Sequence, residues 1–118
     1  MKKTIGILAA SALVLVALAI PTLSSGAAQS VLVNEVDGRI SLAAKPRSGM
    51  VRFVVRNRGD QGHDFWLRGG GKRWKTRVLG VGSSQTLTVR LKKGVRYSFW
   101  CGVSYHASEG MRGSFVAR

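Results

Sequence analysis

Apolar and polar positions alternate with a period of two over most of the chain after residue 28, and no segment there sustains the three-to-four spacing of an amphipathic helix. Ser30 to Val36 and Arg39 to Ala43 read as two strands joined at Asp37-Gly38, a pair suited to the positive φ angles of a tight hairpin. After the break at Pro46-Arg47-Ser48-Gly49, Val51, Phe53 and Val55 alternate with Arg52 and Arg56, which predicts a strand central to the core. His63, Phe65 and Leu67 share one face of the next strand. A flexible turn at Gly69-Gly70-Gly71-Lys72 leads to a strand predicted over Trp74 to Leu79, which ends at a break spanning Gly80 to Ser84. Leu87, Val89 and Leu91 alternate with Thr86, Thr88 and Arg90. Lys92-Lys93-Gly94 turns the chain, and Tyr97, Phe99 and Cys101 then occupy one face of the following strand. Phe115 and Ala117 close the domain. Seven to eight short strands with turns every eight to twelve residues predict an all-β, two-sheet sandwich.

The first 28 residues differ in kind. Lys2 and Lys3 precede an apolar run from Ile5 to Ile20, then Pro21 and small residues ending Gly26-Ala27-Ala28, the layout of an export signal cleaved at Ala28. Left uncut, the same run would be an N-terminal anchor, although it is slightly short of the ~20 residues that a span needs. No Cys lies near the cleavage run and no Arg pair precedes the apolar one, so the general export route is expected, to a periplasmic or other extracytoplasmic location. The remainder, 29–118, is one domain, long enough to bury a modest core without disulfides.

Charge narrows the partners. Without the leader, seventeen basic residues face five acidic ones, a formal charge of +12. Export and the lack of aromatic residues interleaved with cations along one groove argue against nucleic acid. An acidic redox protein or an anionic membrane surface suits the charge, and a monomer is expected.

The chemistry concentrates between Tyr97 and Phe115, where Cys101, His106 and Met111 are spaced five apart on a loop between strand-like ends. A thiolate, an imidazole and a thioether are soft ligands that favour copper over magnesium, calcium or manganese. The chain has one other histidine, His63, and its strand face points it inward as a fourth ligand. Cys101 is the sole cysteine, so no intrachain disulfide forms; metal ligation would protect a thiol that export otherwise exposes to oxidation. A buried structural cysteine is the plainer alternative. A catalytic Cys-His pair would need an open, oriented nucleophile, whereas Cys101 falls on an inward strand face. The triple glycine lacks the Lys-Ser/Thr and helix of a phosphate loop, and no Cys-x-x-Cys-His is present for covalent haem. No enzymatic activity is expected.

Gly62-His63-Asp64-Phe65, followed by Cys101-x4-His106-x4-Met111 and Arg112-Gly113, resembles the cupredoxins, the small blue-copper proteins. The resemblance covers Val31 to the C-terminus and implies a Greek-key sandwich holding one copper through His63, Cys101, His106 and Met111. It further implies that the His106 edge passes the electron, that Val103, Tyr105 and Ala107 form an apolar rim for a partner, and that the Gly62 carbonyl is free to make a weak axial contact. Two positions depart from the family pattern. Asp64 stands where Asn is common and Gly102 where Ser or Thr is common; Asp64 can still accept backbone N–H groups of the Cys loop, while Gly102 offers no side chain. Two functions fit this ligand set: a mononuclear electron carrier, or a protein that stores or delivers copper.

Overall fold

The computed structural model describes residues 2–6, 8–19 and 27–118. Pro21 and Gly26 of the expected leader lie outside the described residues, and residues 2–6 and 8–19 form no helix or strand, leaving Leu8, Leu13 and Leu18 exposed. Among the described residues no helix is long and apolar enough to cross a membrane.

Eight strands follow: β1 Gln29–Val36, β2 Arg39–Leu42, β3 Gly49–Asn57, β4 Trp66–Gly69, β5 Lys72–Lys75, β6 Ser84–Leu91, β7 Arg96–Trp100 and β8 Arg112–Val116. They form two four-stranded sheets, ordered β2-β1-β3-β6 and β5-β4-β7-β8. β1 and β3 run parallel and every other pair is antiparallel, so the chain crosses between sheets after β3, β5 and β6 in the manner of a Greek-key sandwich. The predicted architecture is the one observed.

Alternation puts one row of each strand inside. Val31, Val33, Val51, Phe53 and Val55 of the first sheet face Leu67, Tyr97 and Phe99 of the second, all buried. An aromatic chain threads the middle, with centroid separations of 6.0 Å for Phe53–Phe65, 5.8 Å for Phe65–Phe99 and 5.6 Å for Tyr97–Phe115. Full burial of each such side chain is worth about 1.5–3 kcal/mol. Gly70 and Gly71 both adopt positive φ (57° and 75°) in the two-residue turn of the β4–β5 hairpin, which side chains other than glycine, asparagine or aspartate resist.

The strand predicted over Trp74 to Leu79 is shorter than its pattern and begins two residues earlier, at Lys72. β5 ends at Lys75, because Thr76 turns its hydroxyl into the ladder: the Phe65 N–H donates to Thr76 Oγ1 at 3.0 Å, and that hydroxyl donates to the Arg77 carbonyl at 2.7 Å. The Thr76 backbone N–H still donates to the Phe65 carbonyl at 2.9 Å, and beyond it the chain next pairs at an isolated bridge between His63 and Leu79. His63 is therefore held outside β4 by two backbone bonds to Leu79 of 3.1 and 2.7 Å, at the end of the sandwich where the Cys101 loop also lies.

Candidate metal centre

Cys101 is the first residue after β7, and its N–H donates to the Met111 carbonyl at 3.0 Å. The Met111 N–H in turn donates to the His106 carbonyl at 3.0 Å, which closes residues 101–111 into a compact loop of turns. Gly110, at φ 113°, lies where a Cβ would come within 2.7 Å of the Gly38 carbonyl, so a glycine lets this loop pack against the β1–β2 turn.

The loop brings three of the four expected ligands together. Cys101 Sγ lies 3.8 Å from His63 Nδ1 and 3.7 Å from His106 Nδ1, and the two nitrogens are 3.1 Å apart. Cys101 and His63 are fully buried, while His106 is half-buried. A metal about 2.0 Å from each nitrogen and about 2.3 Å from the sulfur in a trigonal plane requires sulfur–nitrogen edges of about 3.7 Å and a nitrogen–nitrogen edge of about 3.5 Å, taking protein zinc bond lengths as the yardstick. Both sulfur–nitrogen edges match, and the nitrogen–nitrogen edge of 3.1 Å is about 0.4 Å short, so a metal would need the two imidazoles to part slightly. Met111 is also fully buried, tied to the triangle by its backbone bonds to Cys101 and His106. Gly62 sits beside Val78, whose Cγ1 would be 3.4 Å from a Cβ there.

A further residue orients the triangle. Asp37 Oδ1 lies 2.8 Å from His63 Nε2, so the carboxylate holds the proton on Nε2 and leaves the Nδ1 lone pair facing the sulfur. The same bond, with the Asp60 N–H, holds the Asp37 carboxyl below its ordinary range. Gly59 makes room for the pair: a Cβ there would collide with Asp37 Oδ1 and stand 2.9 Å from His63 Nε2. Asn57 anchors the intervening loop, donating to the Gln61 and Leu79 carbonyls at 2.7 and 2.9 Å and accepting from the Gly59 N–H at 2.9 Å. In the sequence Asp37 reads only as half of a turn pair, and no local pattern links it to a histidine 26 residues away.

No sequence-family profile matches the chain, and no curated protein matches it significantly. Solved structures do. Reduced auracyanin from the photosynthetic bacterium Roseiflexus castenholzii superposes with a TM-score of 0.65 at 18% identity, over 79% of this chain and 99% of that one. The chain has the cupredoxin fold. Auracyanin B gives 0.65 at 19% identity over 77% of this chain and 89% of its own, and an amicyanin variant in its reduced Cu(I) form gives 0.57 at 18% over 80% and 88%.

The two departures from the cupredoxin pattern explain one another. Asp64 Oδ1 accepts the Gly102 N–H at 2.6 Å, joining the segment of His63 to that of Cys101, and Asp64 Oδ2 accepts Trp66 Nε1–H at 3.0 Å. The Trp66 indole lies over Gly102, where a Cβ would stand 2.5 Å from Nε1 and 3.0 Å from Cδ1. A side chain at 102 and the indole at 66 compete for one space. The tie between the two ligand segments runs here from Asp64 to a bare backbone N–H.

Burial pushes the Cys101 thiol up; N–H groups at the backbone of Asp64 and Val103 oppose this, and the Asp64 and Glu35 charges add to it. A cation at the triangle would reverse that preference and hold the sulfur as thiolate. Around the His106 edge, Val103 and Ala107 are half-buried and Tyr105 is 77% exposed.

Proposed function

We propose that the protein is a mononuclear type 1 copper protein that carries single electrons outside the cytoplasm. The observation that carries the reading is the His63–Cys101–His106 triangle, whose edges of 3.8, 3.7 and 3.1 Å suit a trigonal soft-metal site built from one sulfur and two nitrogens. The similar structures include a Cu(I) form of amicyanin. In this reading His63, Cys101 and His106 would hold the metal, with Met111 as a fourth, weaker ligand and the Gly62 carbonyl as a further weak contact. Copper supplies one-electron chemistry between Cu(II) and Cu(I).

The chain's own residues supply rigidity and access. Asp37 and the Leu79 bridge keep His63 still, and Asp64 ties its segment to the Cys101 segment, so the donors move little between oxidation states. Cys101, His63 and Met111 are closed to water, whereas His106 is half-buried on the loop that also carries Val103, Tyr105 and Ala107, which supports its edge as the outlet toward a partner. Closure of three donors favours a carrier over a protein that hands copper on, which would need its ligands exposed. Residues 1–28, read as an export signal, support a periplasmic or other extracytoplasmic location.

The copper-loaded protein is expected to show a strong thiolate-to-Cu(II) absorption band, and Cys101→Ser to lose it while remaining folded. A colourless loaded wild type, or a serine variant that keeps the band, refutes the assignment. Mixing with a metal-free copper acceptor should leave the copper bound here; near-complete loss to the acceptor would make the protein a donor.

A further inference from the structure

The outer face of the second sheet is built unlike the rest of the surface. In register across it run Lys75, Trp66, Trp100 and Arg112, and beside them Arg73, Arg68, Ser98 and Ser114. Trp66 and Trp100 stack with centroids 5.8 Å apart and planes 12° from parallel. Cations cover both rings: Lys75 Nζ lies 4.9 Å and Arg73 Cζ 5.4 Å from the Trp66 ring, and Arg68 Cζ 6.0 Å from the Trp100 ring. The strands β4, β5, β7 and β8 carry six Arg or Lys residues and no Asp or Glu. The outer face of the first sheet is also basic, with exposed Arg52, Arg56 and Arg90, but no aromatic residue accompanies them.

The tryptophan pair is also bonded to the segments that carry the donors. Trp100 is peptide-bonded to Cys101, and Trp66 donates its indole N–H to Asp64, the residue after His63, whose other oxygen holds the Gly102 N–H. Both rings are half-buried.

We propose that this tryptophan-centred basic face is a second docking surface, taken by an acidic electron-transfer protein, with Trp100 and Trp66 as the contact through which the electron reaches or leaves the centre; the electron-transfer half rests on the carrier reading above. Five cations on the outward positions, Arg68, Arg73, Lys75, Arg96 and Arg112, on strands that carry no Asp or Glu, select an anionic surface, and planar guanidinium and indole groups suit the side-chain carboxylates and aromatic residues of a protein interface. A lipid surface would also meet the charge, but it has no use for a bonded path to Cys101. With a second face in place, one partner can dock here while another uses His106, so an electron can pass through without exchange of partners.

The test uses the copper-loaded full chain and a decaglutamate peptide carrying a ruthenium tris-bipyridyl photosensitiser. Binding is followed by the indole N–H resonances of the Cu(I) protein, and electron transfer by flash photolysis. In wild type, the Trp66 and Trp100 resonances shift saturably. The triple variant R68E/R73E/K75E weakens binding by about tenfold or more, while R52E/R56E/R90E, with the same net charge, weakens it much less. Trp100→Leu, compared with wild type at peptide concentrations that saturate each, slows electron transfer within the complex. Equal weakening by the two triple variants would show attraction by net charge alone and overturn the proposal, as would binding to phosphatidylglycerol vesicles at this face without saturable peptide binding. If no electron transfers in wild type while the indole shifts persist, the carrier reading fails and the docking face stands; loss of the shifts with the copper band intact fails the docking face alone.

Discussion

Glu35 offers the sharpest test of how this domain is held together. Its side chain is fully buried at the end of β1, between Ile40 on β2 and Asn57 on β3, and neither carboxyl oxygen has a hydrogen-bond partner among the described residues. Burial, helped by the nearby Asp64 charge, pushes its pKa from 4.5 up to about 8. The folded state therefore binds this proton more tightly than the unfolded chain, and stability falls as pH rises from the unfolded value toward the folded one. At about 1.4 kcal/mol per pH unit of separation, the loss between pH 5 and pH 9 is on the order of 4 kcal/mol, a large share of a small domain's stability. Urea unfolding of the copper-free protein, followed by tryptophan fluorescence at a series of pH values, measures it without a contribution from metal affinity. Glu35→Gln removes the titration but keeps the volume, so its curve should match wild type near pH 5 and lie about 4 kcal/mol above it at pH 9. Two parallel curves would show that Glu35 ionises freely in the folded protein and would refute the reasoning.

Other expectations concern the support of the centre. Asp37→Ala should weaken metal binding by about 10–100-fold in chelator competition, whereas Asp37→Asn, which retains an acceptor for His63 Nε2–H, should lose less. Gly102→Ser should cost about 1–3 kcal/mol in unfolding measurements, since its Cβ meets the Trp66 indole; adding Trp66→Ala should recover part of that loss, a non-additivity that two independent sites would not show. Intact-mass measurement of the exported protein should find Gln29 at the N-terminus, and retention of residues 1–28 in a membrane fraction would make it an anchored carrier instead.

Much was legible from local pattern. Period-two alternation marks the buried rows because a strand turns successive side chains to opposite faces, so Val51, Phe53, Val55, Tyr97, Phe99 and Cys101 declared themselves as core. The spacing of Cys101, His106 and Met111 was readable for the same reason: one loop supplies all three, and short loops constrain their own geometry. The limit of β5 was not, because whether the Thr76 hydroxyl enters the ladder depends on Phe65 being opposite it.

What sequence alone determined is thus the set of strands, the donor types and the inward direction of His63 and Cys101, all properties of residues near one another in the chain. What tertiary structure decided are the pairings that cross it: Asp37 with His63, Asp64 with Gly102, Trp66 with Trp100, and Glu35 left without a partner. Each depends on sheet order and register. A hydrogen bond or ring stack between strands distant in sequence forms only where packing of the two sheets places the groups within a few ångströms, and no composition or spacing along the chain encodes that distance by itself.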